Sequence, residues 1–151
     1  MTATPQDLVR AFHRAFGLGL GTGRPAAVPP ELARHRQALL EEEVAEVAEA
    51  TEAGRPVDIA HELADVVYTA YGTALVHGVD LDAVLAEVHR ANMSKLGPDG
   101  RPVLREDGKV LKGPSYRPPR VAEVLARQGE AGAADGADQR ADGEAGRRAD
   151  Q

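Results

Sequence analysis

The stretch Arg36–Asp65, RQALLEEEVAEVAEATEAGRPVDIAHELAD, decides how this chain folds. With Glu43 set at zero and about 100° per residue, Leu39 falls at about 320°, Leu32 at about 340°, Val47 at about 40° and Leu40 at about 60°. These apolar side chains form one helical stripe, and Glu43 sits in its middle. Glu46 and Glu42 lie on one margin of the stripe, whereas Glu41 and Glu52 point the opposite way and read as an ordinary solvated face. An ionised carboxylate aimed into an apolar interface costs several kcal/mol unless a cation or matched donors meet it. Arg36, on the same face, is expected to offset part of that cost.

Pro29-Pro30 opens this helix and Gly54 closes it at Ala53. A second long helix is predicted from Val57 or Asp58 to His77, before Gly78. Its segment Val66 to Val76 carries no charge, as expected for a central bundle helix. Just before that segment come Glu62 and Asp65, three residues apart and therefore on one face, as are Glu43 and Glu46. The chain thus holds Glu43-x-x-Glu46, a spacer of 15 residues (47 to 61), then Glu62-x-x-Asp65. Two antiparallel helices would bring the pairs together.

Four converging carboxylates cannot all stay ionised unaided, so either their pKa values rise or divalent cations neutralise them. Cations are the stronger expectation. All-oxygen donors on rigid helices favour Mg²⁺, with Mn²⁺ as the alternative, over Ca²⁺. A di-iron bundle would show Glu-x-x-His pairs, and none occurs. The five histidines are scattered singly, which suggests surface or capping roles, with His13 and His61 the two that stand near other features of interest.

The rest of the chain fits this picture. The 151 residues hold 42% hydrophobic but only 3% aromatic side chains, so the core is aliphatic and an all-α fold of four to five helices is expected. Zero Cys excludes disulfides, thiolate metal sites and cysteine nucleophiles. A polar start at Met1 to Leu8 and the lack of a long charge-free run point to a soluble, cytoplasmic protein without a membrane partner. The net charge of −6 disfavours nucleic acid as a partner. A first helix starts at Thr4-Pro5 and ends at Gly17; the Gly-rich run Leu18 to Val28 reads as a linker. A fourth helix runs from the N-cap Asp80 to about Leu96, its apolar stripe interrupted by Asn92 and Lys95. A short helix covers 120 to 128. The tail 129–151 holds 7 Ala and 5 Gly without one large apolar residue, so residues 1–128 form the domain and the tail is expected to be disordered.

Charge of the opposite sign comes after the fourth helix. From Lys95 to Arg120 seven basic residues face three acidic ones. Val103-Leu104-Arg105 and Lys109-Val110-Leu111 flank Asp107-Gly108 as a small hairpin. Alone, such a segment is a solvated loop. Beside four carboxylates it suits metal-bridged phosphates gripped by Lys and Arg. No Walker loop and no Gly-x-Ser-x-Gly elbow is present, and Ser94 and Ser115 have no evident His/Asp partners, so water is the expected nucleophile.

Arg36-x-x-Leu39-Leu40-Glu41-Glu42-Glu43-x-x-Glu46 followed by Glu62-Leu63-Ala64-Asp65-Val66 resembles the MazG-like all-α nucleoside triphosphate pyrophosphohydrolases, which include dimeric dUTPases and phosphoribosyl-ATP pyrophosphohydrolase. Phe12-His13-x-x-Phe16-Gly17, Asn92-Met93-Ser94-Lys95-Leu96 and Arg105 to Pro114 resemble a bacterial and phage subgroup. The similarity covers about Asp7 to Pro119. It implies that Glu43, Glu46, Glu62 and Asp65 bind Mg²⁺ or Mn²⁺, that Glu42 and Glu43 serve catalysis, and that Lys95, Arg105, Lys109 and Lys112 hold phosphates. Asn92, His13, Phe16 and Tyr116 are the nucleotide-binding candidates, although helical spacing favours core packing for Phe12 and Phe16. The implied reaction converts a nucleoside triphosphate, foremost dUTP or a related pyrimidine deoxynucleotide, to monophosphate and pyrophosphate in a homodimer or homotetramer. Phosphoribosyl-ATP is the alternative substrate, and a non-catalytic nucleotide- or metal-binding dimerisation module is the alternative class.

Overall fold

In the computed structural model, which describes residues 2–131, five helices follow one another: α1 (Pro5–Ala15), α2 (Pro30–Ala53), α3 (Pro56–Val76), α4 (Leu81–Met93) and α5 (121–131). The all-α expectation holds. Each start has a local cause. At α1 the Thr4 hydroxyl accepts from the Asp7 N–H while the Asp7 carboxylate accepts from the Thr4 N–H, closing a capping box, and Pro5 occupies the first turn. The Asp80 side chain caps α4 through the Ala83 N–H at 3.1 Å. Gly54, with φ 66°, ends α2 in the left-handed conformation, so only Gly54 and Arg55 separate α2 from α3.

That tight connection forces α2 and α3 into an antiparallel pair, the most extensive helix packing in the molecule. Its register is visible in three cross-links: Arg36 with Thr73, Glu43 with Thr69, and Glu46 with Glu62. Helix α1 lies against α3 as well, and the buried cluster Val9, Tyr71 and Leu75, with Leu20 and Leu81 packed on it, sits at the C-terminal half of α3. The N-terminal half of α3 is left free to carry charge.

The run Leu18 to Val28 is more than a linker. Gly21 donates to the Leu75 carbonyl at 2.8 Å, and the run passes so close to the end of α3 that a Cβ on Gly21 would collide with the backbone of Gly78 and a Cβ on Gly78 with that of Arg24. His13, only 3% exposed, donates from Nδ1 to the Gly19 carbonyl at 3.0 Å and pins the same run. The expectation of a surface or capping role thus fails for His13, because Gly72 on α3 leaves room for the imidazole and the Gly19 carbonyl meets its Nδ1.

Three further expectations are revised. Helix α4 stops at Met93, three residues short of Leu96, because the Ser94 hydroxyl turns back to the Ala91 carbonyl at 2.7 Å and Lys95 and Leu96 close tighter turns on Asn92 and Met93. The hairpin after α4 is reduced to one antiparallel bridge, Leu104 with Val110, closed by the Arg105 N–H to the Lys109 carbonyl at 2.9 Å. Helix α5 continues to residue 131, past the expected end at Gln128; the remainder of the expected tail, 132–151, lies outside the described residues.

The charge-free part of α3 is only half buried. Tyr71, Leu75 and Val76 are inside, but Val67 is 50% exposed and Leu85 on α4 is 56% exposed. Helix α4 touches α3 near their shared turn, where the Tyr71 hydroxyl donates to Asp82 at 2.7 Å and is pushed up to about 12 by that carboxylate. Beyond that strap the helices leave an apolar groove of about 280 Å³ between Val66, Ala70, Val84 and Val88. No helix is long and apolar enough to cross a membrane among the described residues.

Candidate active site

Antiparallel packing of α2 on α3 stacks their acidic faces as the periodicity requires. Oxygen atoms of Glu43, Glu46 and Glu62 lie within 4.8 Å of one another, and Glu62, Asp65 and the His61 ring form a second group within the same limit. Glu62 is common to both. The four carboxylates expected to meet therefore form two overlapping triads. Glu42 belongs to neither and is exposed on the flank, close enough for its charge to act on Glu46.

The electrostatics follow from this crowding. Burial, then the charges of Glu62 and Glu43, a hydrogen bond with Glu62, and Glu42 all hold the Glu46 carboxyl above its ordinary range. His61, on the outer side, approaches Asp65 Oδ2 with Nε2 at 3.3 Å and Glu62 Oε1 with Nδ1 at 3.4 Å. The site concentrates negative charge in two groups, carboxylate oxygens with the His61 ring at the outer edge, either of which could hold a metal ion.

Arg36 does not pair with Glu43. Its guanidinium enters the α2–α3 interface instead, donating to Thr73 Oγ1 at 3.1 Å and to the Thr69 carbonyl at 3.0 Å, and burial lowers its pKa. The group that reaches Glu43 is the Thr69 hydroxyl, at 3.4 Å from Oε1. Thr69 stands four residues after Asp65 on the same helical face, so a polar residue on the acidic stripe was the available signal. Gly72 makes the adjacent room: a Cβ there would meet Arg36 Nη2 at 2.6 Å and His13 Nε2 at 2.8 Å.

The remaining candidates fall into two regions. Phe12 and Phe16 lie with tilted rings, centroids 4.4 Å apart, and Phe12 meets Tyr68 edge-on at 5.6 Å, yet Phe12 is 38% and Phe16 68% exposed. Core packing is not their role within one chain, because α1 turns this face outward. Asn92 is exposed, and Lys95 is half-buried in the turn after α4. Arg105 is engaged by Asp107, while Lys112 lies 4.8 Å over the Tyr116 ring. The segment is fastened to α4: Ser94 Oγ accepts from the Arg117 N–H at 2.8 Å, and Glu87 accepts from the Arg120 N–H at 2.7 Å. Lys95, Arg105, Lys109 and Lys112 do not line the cavity that opens beside Glu46 and Glu62.

A family model for phosphoribosyl-ATP pyrophosphohydrolase matches residues 9–92, which span α1 to α4 and contain both acidic pairs. The chain belongs to that family. Its place among the MazG-like all-α proteins agrees with the helices and with the two acidic pairs, and the family's activity is that of a pyrophosphohydrolase. The chain is also similar to a crystal structure, at 1.78 Å resolution, of a protein from Exiguobacterium sp. 255-15 provisionally named an NTP pyrophosphohydrolase. The two are 24% identical, the match covers 93% of this chain and 99% of that one, and the TM-score is 0.41. No curated protein matches.

Proposed function

We propose that the protein is a metal-dependent nucleoside triphosphate pyrophosphohydrolase that releases monophosphate and pyrophosphate. The observation that carries this reading is the convergence of Glu43, Glu46 and Glu62 oxygens within 4.8 Å on the paired helices of a pyrophosphohydrolase family member. Glu43, Glu46, Glu62 and Asp65 would hold Mg²⁺ or Mn²⁺, which supplies charge neutralisation and a more acidic bound water. Glu42, on the flank, and Glu43 would orient the attacking water toward the α-phosphorus. Lys95, Arg105, Lys109 and Lys112 would hold phosphate oxygens, and Asn92, Phe16 and Tyr116 would contact the nucleotide; His13, buried, would place the Phe12–Phe16 face instead of touching the base.

The preferred substrate is dUTP or a related pyrimidine deoxynucleotide, on the similarity of the motifs to the dimeric dUTPase branch. Phosphoribosyl-ATP is the second reading, favoured by the family model itself. The assembly would be a homodimer or homotetramer, a reading supported by the exposed Val67 and Leu85 beside the apolar groove between α3 and α4.

The test is pyrophosphate release with Mg²⁺ or Mn²⁺ over a panel of ribo- and deoxynucleoside triphosphates and phosphoribosyl-ATP, beside Glu43→Ala. Metal-dependent release, lost in the variant, supports the reading, and the best substrate selects the branch. Metal binding without turnover of any substrate would replace it with the binding module.

A further inference from the structure

Next to the carboxylates, at the α2–α3 turn, opens a cavity of about 460 Å³ with one positive charge in its lining, Arg55. Glu46 and Glu62 line it and also belong to the ligand group with Glu43, so the cavity is continuous with the candidate metal centre. Glu49 and Asp58 complete its acidic wall one turn further along each helix. Arg55 is the residue before Pro56, where the tight Gly54 turn fixes its backbone, and its Nε donates to Asp58. Among the described residues the two terminal amino groups of the guanidinium have no hydrogen-bond partner, and the side chain is 70% exposed. A guanidinium steadied on one edge presents the other two nitrogens as a fork, the geometry that suits phosphate oxygens.

We propose that Arg55 is the terminal-phosphate receptor of the site, gripping the β- and γ-phosphates that leave as pyrophosphate. The proposal rests on the function proposed above. The layout along the helix pair agrees with it. Thr69 with Glu43, then Glu46 with Glu62, then Arg55 with Asp58 follow one another toward the turn, and Tyr68 with the Phe12–Phe16 pair stands at the opposite end. From Asp58 to Tyr68 the rise is about 15 Å, at about 1.5 Å per residue, which is on the scale of an extended nucleotide. The base would lie at the aromatic end, the α-phosphate at the carboxylates and the pyrophosphate at Arg55. With four carboxylates around a single guanidinium, a bare anion is repelled, so the cavity takes pyrophosphate only with a divalent cation.

The test is calorimetric titration of pyrophosphate, with Mg²⁺ and with EDTA, into the wild-type chain, Arg55→Ala, Arg55→Gln and Arg55→Lys, each checked for an unchanged helical circular dichroism signal. Expected is binding that requires Mg²⁺, weakened at least tenfold in Arg55→Ala and Arg55→Gln and partly kept in Arg55→Lys, while binding of a nucleoside monophosphate with Mg²⁺ is unchanged in all. Wild-type affinity for pyrophosphate in Arg55→Ala, equal weakening of monophosphate and pyrophosphate, or no pyrophosphate binding by the wild type would each overturn it. Pyrophosphate release by the wild type in the enzymatic assay would leave the proposed function standing in every one of those cases, and its absence would remove that function without altering the binding result.

Discussion

The hydroxyl of Thr69 donates to Oε1 of Glu43 at 3.4 Å, and the carbonyl of the same Thr69 accepts from Arg36 at 3.0 Å. One residue of α3 therefore holds both a carboxylate and the guanidinium that enters the helix interface behind it. Glu43 sits where the apolar stripe of α2 meets α3, and Thr69 supplies the donor that makes this position tolerable for a carboxylate. Thr69→Val keeps the shape and removes the donor. Outer-shell substitutions of this kind typically cost about 10- to 100-fold in metal affinity. A rise of at least that lower amount in the Mg²⁺ concentration for half-maximal pyrophosphate release is expected, with the helical signal unchanged; identical metal dependence would show that Thr69 does not position Glu43.

Glu46 leads to a prediction about metal and pH. Burial and its acidic neighbours raise its folded-state pKa above the ordinary carboxylate value. A raised pKa means that the folded chain holds this proton more tightly than the unfolded one, so the contribution to stability is present at low pH and is lost as pH rises through the folded value. A divalent cation bound to the ionised cluster reverses the loss. The increase in Tm on adding Mg²⁺ should be large at pH 7 and shrink toward zero as the carboxylates protonate. Glu46→Gln should raise the metal-free Tm at pH 7 and reduce the Mg²⁺ response. An equal Mg²⁺ response at both ends of the range would refute metal binding at this cluster.

The acidic face was legible in the sequence because helix periodicity is local: Glu43, Glu46, Glu62 and Asp65 needed only their own spacings and the Gly54 turn between them. The partners were not. Arg36 lies on the correct face for Glu43, but its long side chain finds the Thr69 carbonyl and Thr73 hydroxyl inside the interface, a choice made by packing depth rather than angle. His13 has the same history: nothing in its own helix says that Gly72 will clear space for its ring and that the Gly19 carbonyl will meet its Nδ1. The end of α4 was missed because the Ser94 hydroxyl, by capturing the Ala91 carbonyl, breaks a pattern whose apolar spacing continues to Leu96.

Glu87, with Ser94, anchors the basic segment to α4. It accepts from Arg90 Nε at 2.9 Å, from Arg90 Nη2 at 2.7 Å and from the Arg120 N–H at 2.7 Å, and these donors pull its carboxyl down to about 2. For a depressed pKa the stabilisation is present above the ordinary value of 4.5 and is lost as pH falls toward 2. Glu87→Gln should therefore lower Tm at neutral pH, and the gap from the wild type should close between about pH 4.5 and about pH 2. Proteolysis of the 94–120 segment should accelerate in the variant at pH 7. A gap in Tm that is the same at pH 7 and pH 2.5 would mean that Glu87 acts through packing and not through its charge.

Gly72 gives the sharpest structural test of how α1, α2 and α3 meet. Its missing side chain admits Arg36 Nη2 and His13 Nε2, which a Cβ would meet at 2.6 and 2.8 Å. The Arg36 end could swing away, but only by giving up its bonds to Thr69 and Thr73, and His13 is held from its other side by Gly19. Overpacking of this kind typically costs about 1–3 kcal/mol. Gly72→Ala should lower stability by that amount in chemical denaturation, although alanine is the better helix former and in an open helix would stabilise by about 1 kcal/mol. The two effects have opposite signs, so the direction of the shift alone decides the matter. If Gly72→Ala is the more stable protein, Arg36 and His13 are not locked where the structure places them. Because Arg36 and Glu43 share Thr69, a destabilised Gly72→Ala chain should also need more Mg²⁺ for pyrophosphate release, which links the packing of the interior to the carboxylate site.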